Sequence, residues 1–235
     1  MQKILMIVPA YNEEKNIRHV IADLRSCNVK VDPLIIDDGS MDNTAKVARS
    51  EGADVIVLPC NLGIGGAVQT GFKYAFENDY DIAIQFDGDG QHMACEIETL
   101  IKNVVEDKCD VAIGSRFLTA TDFKSTFARK LGIKIFTIIN SIIIGQRITD
   151  NTSGFRAYNR PAIKFLSRNY PDDYPEPEAI ILLSKNKFRI MEVPVKMQQR
   201  QHGDSSINTL RAIYYMIKVV LAILIGVFRN VERKD

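Results

Sequence analysis

Short apolar runs recur along the first half of the chain, each ending on polar or glycine-rich residues. Ile4 to Val8, Leu34-Ile35-Ile36, Val55 to Leu58, Ile82-Ala83-Ile84-Gln85-Phe86 and Asp110 to Ile113 read as strands, and the fourth as a buried parallel one. Between them, apolar residues fall at helical spacing: Ile17, Val20, Ile21 and Leu24, then Val68, Phe72 and Ala75, then Ile97, Leu100, Ile101 and Val104. This alternation predicts an α/β fold, with a mostly parallel central sheet flanked by helices. Pro9 is expected to end the first strand and Asn12 to cap the following helix.

The second half departs from this rhythm. Ile133 to Ile144 is strongly apolar, and its length favours a core helix over the wall of a lipid channel. Asp150 to Arg156 is a loop dense in hydrogen-bonding groups. Tyr174-Pro175-Glu176-Pro177-Glu178 starts a helix with carboxylates at its positive end, and Phe188 to Val195 reads as a strand. The last helix carries Leu210, Ile213, Tyr214, Ile217, Val220, Leu221 and Leu224 on a stripe, then turns apolar all round from Val219 to Phe228. That is short for a membrane span. It suits an interfacial helix, or equally a core or oligomer helix. The division expected is a domain over 1–206 and a C-terminal amphipathic helix over 207–235, serving membrane-surface or homo-oligomer contact.

Composition narrows the classes. No Pro/Ser/Gly-rich linker or repeat divides the 235 residues, which favours one main domain. A net charge of +1 implies no bulk pull towards nucleic acid. Cys27, Cys60, Cys95 and Cys109 lack metal spacing and fit free thiols in a reducing compartment. With no cleavage pattern near Lys3, the expected location is cytoplasmic, with peripheral attachment to the membrane.

The candidate chemistry sits at strand ends. Asp87-Gly88-Asp89-Gly90-Gln91-His92 places carboxylates one residue apart just past a strand. Asp89, with Asp87 and Gln91, could bridge a divalent cation to a diphosphate; an ordinary acidic turn is the plain alternative. Asp38, at the second strand tip, could take hydrogen bonds from a ribose or base, or could form a turn. Pro9, Tyr11 and Glu13 lie in a strand-end loop able to face a nucleotide or to solvate the helix start. Asn61-Leu62-Gly63-Ile64-Gly65-Gly66 could hold phosphate on backbone N–H groups, but it matches no phosphate-loop fingerprint. Close packing on the sheet is the favoured use of its glycines, with Gly65 kept as a nucleotide-contact candidate.

The ordered set Val8-Pro9-Ala10-Tyr11-Asn12-Glu13-Glu14, Ile36-Asp37-Asp38-Gly39-Ser40, Asp87-Gly88-Asp89-Gly90-Gln91-His92 and Gly114-Ser115-Arg116-Phe117 resembles family 2 glycosyltransferases. The resemblance implies a GT-A fold, a UDP- or GDP-sugar donor and Mg²⁺ or Mn²⁺. It implies that Asp38 binds the nucleoside and Asp89 the metal, with Asp87 beside either. Thr152-Ser153-Gly154-Phe155-Arg156 and Arg200-x-x-Gly203-x-Ser205 resemble the dolichol-phosphate mannose synthase branch. That similarity implies that Arg116, Ser125, Arg129, Arg156 and Arg200 hold the acceptor phosphate and the diphosphate, a task guanidinium groups suit. Ser206 stands where that branch often has Lys, and Glu176-Pro177-Glu178 is unlike it.

The leading expectation is therefore inverting, metal-dependent sugar transfer to a polyprenyl phosphate on the cytoplasmic membrane face. Asp89 and Arg116 would stabilise the leaving diphosphate. The second is transfer to a glycan hydroxyl in polysaccharide synthesis, for which Glu178, or behind it Glu176, is the candidate base. The third is a non-catalytic nucleotide-sugar-binding protein, against which the Asp87/Asp89 pair counts.

Overall fold

The structure is a computed structural model that describes residues 2–118, 141, 144–172 and 175–198. Ser125, Arg129, Arg200, nearly all of the 133–144 run and the 207–235 helix lie outside these residues. The described elements run β1 Ile4–Ala10, α1 Glu14–Ser26, β2 Asp32–Asp37, α2 Thr44–Ser50, β3 Asp54–Val57, α3 Gly63–Glu77, β4 Ile82–Gln85, α4 Ile97–Val105, β5 Val111–Ser115, β6 Arg156–Asn159, α5 Arg160–Asn169, α6 Pro175–Lys185 and β7 Ile190–Pro194.

The strands form one seven-stranded sheet in the order β3-β2-β1-β4-β6-β5-β7. Every pairing is parallel except those of β6, which runs against both β4 and β5. β1 is buried along its whole length and feeds both faces of the sheet. Leu5 and Ile7 pack with Phe72, Tyr158 and Ile163 under α3, α5 and α6. Met6 and Val8 pack with Ile17, Ile21, Leu100 and Phe155 under α1 and α4. The i, i+3, i+4, i+7 stripes of α1 and α4 are the faces buried there.

Two local expectations are corrected. Pro9 does not end β1, which continues to Ala10. The carbonyl of Pro9 accepts from Gly88, past the last paired residues of β4, so the absent N–H costs no ladder bond there. Asn12 does not cap α1, whose N-cap residue is Glu13. Asn12 instead takes a left-handed conformation, φ 55°, that asparagine tolerates. Its amide donates to Ser40 Oγ and its Oδ1 accepts from the Met41 amide, so it ties the first strand-end loop to the second.

The sequence pattern predicts no strand at β6 and places Arg156 at the end of a loop; the structure instead forms the reversed strand there. Its register pairs Arg156 with Gln85 of β4 and Ile113 of β5. Because β6 runs backwards, its first residue lies at the carboxyl edge of its parallel neighbours. The loop before it is thereby delivered to the edge where open α/β sheets bind ligands. The far end of β6 is closed by Asn159, which caps α5 by accepting from the Ala162 amide at 3.1 Å and donates to Asp110 Oδ1 at 2.8 Å. Asn159→Ala removes both bonds and is expected to cost about 1–2 kcal/mol, read as a lower urea midpoint with an unchanged slope. An unchanged midpoint would show that the cap contributes nothing.

Candidate active site

Strand tips β1, β2 and β4 open on one cleft of about 370 Å³, lined by Pro9, Tyr11, Glu13, Asp38, Ile64, Ala67, Asp87 and Asp89 among others. The residues expected at a nucleotide from three separate motifs thus face the same space. Tyr11 leaves 45% of its surface open, so its ring is accessible there. Glu13 is buried: its carboxylate accepts from Asn16 Nδ2 at 2.6 Å, and its amide donates to Thr44 Oγ1.

Asp38 is buried as well, and it closes the start of α3. Its carboxylate oxygens accept from the amides of Leu62 at 2.7 Å and Gly63 at 2.9 Å. Burial pushes its pKa above the ordinary carboxylate value, and these two amides oppose the shift. The helix start is thus already matched to a carboxylate. Gly65 does not line the cleft; Ile64 and Ala67 do. A Cβ on Gly65 would strike the backbone carbonyls of Pro171 and Asp172, so this glycine permits close packing of α3 on that segment.

The acidic turn is held from several sides. Asp87 and Asp89 are half-buried at the cleft wall. The Gln91 amide donates to Asp89 Oδ1 at 3.0 Å, and Gly90 supplies the left-handed residue, φ 77°, that the turn needs. Residues Met197 and Gln198 run alongside. Met197 pairs with His92, the Gln198 amide donates to the Gln91 carbonyl, and its Nε2 donates to the Gly90 carbonyl at 2.7 Å. Behind the turn, Gly154 presses on the carboxylate of Asp87. A Cβ there would lie 2.9 Å from Oδ2 and 3.0 Å from Oδ1.

His92 received no role from sequence, yet it is buried at the centre of the turn. Its ring stacks on Phe155 with centroids 4.8 Å apart and meets Phe86 edge-on. Its Nδ1 accepts from the Asp87 amide at 2.9 Å, which places the proton of the neutral ring on Nε2, 3.5 Å from Asp87 Oδ2. Burial pushes the imidazole down to about 4, with Asp89 opposing and Arg116 adding to the shift.

Arg116 follows β5 and lies close enough to the acidic turn for Asp87 to raise its pKa. It is clamped by Asp150, a residue with no exposed surface. Arg116 Nε donates to Oδ2 at 2.7 Å, Nη2 to Oδ1 at 2.6 Å, and the Arg116 amide to Oδ2 at 3.0 Å. Thr152 Oγ1 accepts from Nη2 as well. Burial works against the guanidinium charge, but Asp150 outweighs it and holds the pKa above the ordinary arginine value. The Arg116 side chain keeps 15% exposure.

Arg156 is placed elsewhere than expected. It is fully buried, and Nε, Nη1 and Nη2 donate to the carbonyls of Ser153, Glu176 and Asn151 at 2.7, 2.8 and 3.0 Å. A guanidinium engaged in this way has no surface for an acceptor phosphate. Glu176 and Glu178 stand in the first turn of α6, both half-buried. Burial pushes the Glu176 carboxyl up, Arg156 opposes the shift, and Asp87 reinforces it. Asp150, His92 and Gly154 are the site residues that sequence reasoning missed. A short acid in a loop rich in hydrogen-bonding groups was the available signal for Asp150. Nothing local marked the other two as neighbours of Asp87.

Two outcomes follow from this packing. His92 is neutral in the fold, so below about pH 6.5 the unfolded chain takes up a proton that the folded chain does not. Stability of the metal-free protein should therefore fall from about pH 6.5 to about pH 4, by about 1.4 kcal/mol per unit at the steepest, and then level off. Urea melts of His92→Asn should show a shallower dependence across that window; an identical slope would assign the effect to other groups. Gly154→Ala should displace the Asp87 carboxylate and weaken nucleoside diphosphate binding by roughly tenfold or more in calorimetry, while thermal stability drops by only about 1–3 kcal/mol.

Comparison with known proteins gives this geometry a context. Residues 6–166 match Glycosyl transferase family 2. The chain is 36% identical over 213 residues to the UDP-N-acetylglucosamine–dolichyl-phosphate N-acetylglucosaminyltransferase of Methanococcus voltae, covering 82% of this chain and 84% of that one. It is 28% identical over 228 residues to the polyprenol monophosphomannose synthase of Mycolicibacterium smegmatis, covering 93% and 86%. Its fold superposes on glucosyl-3-phosphoglycerate synthase from Mycobacterium tuberculosis, crystallised with Mn²⁺, UDP-glucose and phosphoglyceric acid. The TM-score is 0.75 at 17% identity, over 98% of this chain and 81% of that one. The alternating elements, the reversed strand and the cleft at the strand tips are those of a GT-A fold, and the chain belongs to glycosyl transferase family 2.

Proposed function

We propose that this glycosyltransferase moves a sugar from a UDP- or GDP-sugar to a polyprenyl phosphate, with inversion and with Mg²⁺ or Mn²⁺, at the cytoplasmic face of a membrane. The observation that carries the reading is the convergence of Tyr11, Glu13, Asp38, Asp87 and Asp89 on one cleft. The lipid acceptor is supported by the two relatives, whose names specify dolichyl-phosphate and polyprenol chemistry.

The residues fit a hard cation. Asp87 and Asp89 bring carboxylates to the cleft wall, and such an ion needs only one or two of them when substrate phosphates supply further oxygens. Among the described residues no denser His/Cys/Asp/Glu cage exists. Asp89, with Asp87 and the Gln91 side chain as further candidates, would hold the ion. When bound it neutralises charge on the diphosphate.

Arg116, oriented by Asp150, offers its guanidinium to the leaving diphosphate. An acceptor phosphate oxygen forms the bond to the anomeric carbon from the opposite face. The bond to the diphosphate breaks, and its electron pair leaves with the nucleoside diphosphate. The attacking oxygen is already anionic, so no residue must remove a proton. Ser125, Arg129 and Arg200 remain the proposed acceptor-phosphate contacts. Gln198 supports the last of these, since it is bonded to the acidic turn only two residues earlier in the chain. The 207–235 helix is proposed to hold the protein peripherally at the membrane; among the described residues no helix is long and apolar enough to cross one.

The deciding assay offers UDP- and GDP-sugars with Mn²⁺ to polyprenyl phosphate and, separately, to a phosphate-free glycan. Transfer to the lipid phosphate is expected. Asp89→Asn should abolish the Mn²⁺ dependence of nucleoside diphosphate binding, and Arg116→Ala should lower kcat by roughly 10²–10³-fold. Glu178→Gln should transfer as well as wild type, because an anionic acceptor needs no base. Transfer confined to the glycan, and lost in Glu178→Gln, would replace this reading with the hydroxyl-acceptor one.

A further inference from the structure

Three strands away from the acidic turn, the edge strand β7 carries a carboxylate that bonds into the site's supporting loop. Glu192 lies on β7, in register with Ile113 of β5. Its Oε2 accepts from the Thr149 amide at 2.8 Å, and its Oε1 from the Asp150 amide at 2.8 Å. Its oxygens also meet Thr149 Oγ1 at 2.9 and 3.1 Å, and that hydroxyl reaches Ser115 Oγ at 2.9 Å. One carboxylate thus fastens two successive peptide groups to the sheet beside the residue preceding Arg116. Asp150, so fixed, presents both carboxylate oxygens to Arg116.

We infer that Glu192 is a positioning residue, which orients Arg116 through the backbone of Thr149 and Asp150. The inference rests on the reading of Arg116 as the group that meets the diphosphate. The energetics favour a positioning role over a merely cohesive one. Side chains on strands are placed more narrowly than those on loops, and a charged acceptor strengthens each amide bond it takes. Residues 149–153 are all polar, so hydrogen bonds, from Glu192 at one end and Arg156 at the other, set the register of this loop. A displacement of about 1 Å at Asp150 would swing the guanidinium away from the leaving group, and misplacement of that size costs on the order of 10²-fold in rate.

Glu192→Gln tests this with little change in volume, since the amide offers one acceptor oxygen where two were used and points N–H groups at a peptide N–H. The Arg116 Nε–H signal in ¹H–¹⁵N spectra, assigned by its loss in Arg116→Lys, reads the orientation directly. The expected result is a slowly exchanging signal in wild type and exchange at least roughly tenfold faster in Glu192→Gln, with a superimposable circular dichroism spectrum. In kinetics with the sugar nucleotide, kcat should fall at least roughly tenfold with KM little changed, and Glu192→Gln added to Arg116→Ala should cost nothing further. Unaltered Nε–H exchange, or losses that multiply in the double variant, would overturn the inference. If Glu192→Gln does not fold, Glu192→Asp, whose shorter arm cannot span both amides, carries the same measurement. The exchange readout needs no substrate, so a wild-type protein that transfers nothing to polyprenyl phosphate would defeat the proposed function while the role of Glu192 was still decided.

Discussion

A guanidinium with no exposed surface must find acceptors or forfeit its solvation, and the loop at the heart of this protein is shaped by that demand. Arg156 begins β6, buried between β4 and β5, and its donors reach the carbonyls of Asn151, Ser153 and Glu176. To supply them, residues 151–153 wrap around the guanidinium and the first turn of α6 comes down upon it. The wrapped loop then presents Asp150 to Arg116 on one side and the bare backbone of Gly154 to Asp87 on the other. The positions of Arg116 and Asp87 are thus tied to a residue with no exposed surface of its own.

The acidic turn shows the same economy of parts. His92 is buried, stacked on Phe155 and crossed by Phe86, so its ring is packed on two sides. From there it accepts the Asp87 amide. The flanking chain at Met197 and Gln198 covers the outer side. Backbone bonds on one side and aromatic packing on the other fix the carboxylates before any ligand arrives. Preorganisation of this kind lets an electrostatic site act without reorganising during the reaction.

Much of this was legible in the chain. Strand cores such as Leu34-Ile35-Ile36, and the stripes of α1 and α4, are local patterns, and local patterns place elements. Polar motifs at the ends of parallel strands must share one edge of the sheet, so Tyr11, Asp38 and Asp89 could be predicted together. What escaped depends on partners distant in sequence. Arg156 looks like any exposed arginine until β6 is known to run backwards between two strands. Gly65 belongs to a glycine-rich loop in either role, and its approach to Pro171 and Asp172 is invisible until the fold brings that segment onto α3. Asn12 has the composition of a cap but the left-handed backbone of a loop brace, because Ser40 and Met41 lie beside it. Glu192 carries no motif at all.

The capping of α3 by Asp38 has a consequence for how charge is distributed around the cleft. In many phosphate-binding folds a helix start supplies the positive end of a dipole to the anion. Here that end is already matched to a carboxylate, and among the described residues the walls of the cleft carry Glu13, Asp38, Asp87 and Asp89 and no basic side chain. A bare polyanion approaching such a surface meets repulsion, whereas an anion whose charge is already masked does not.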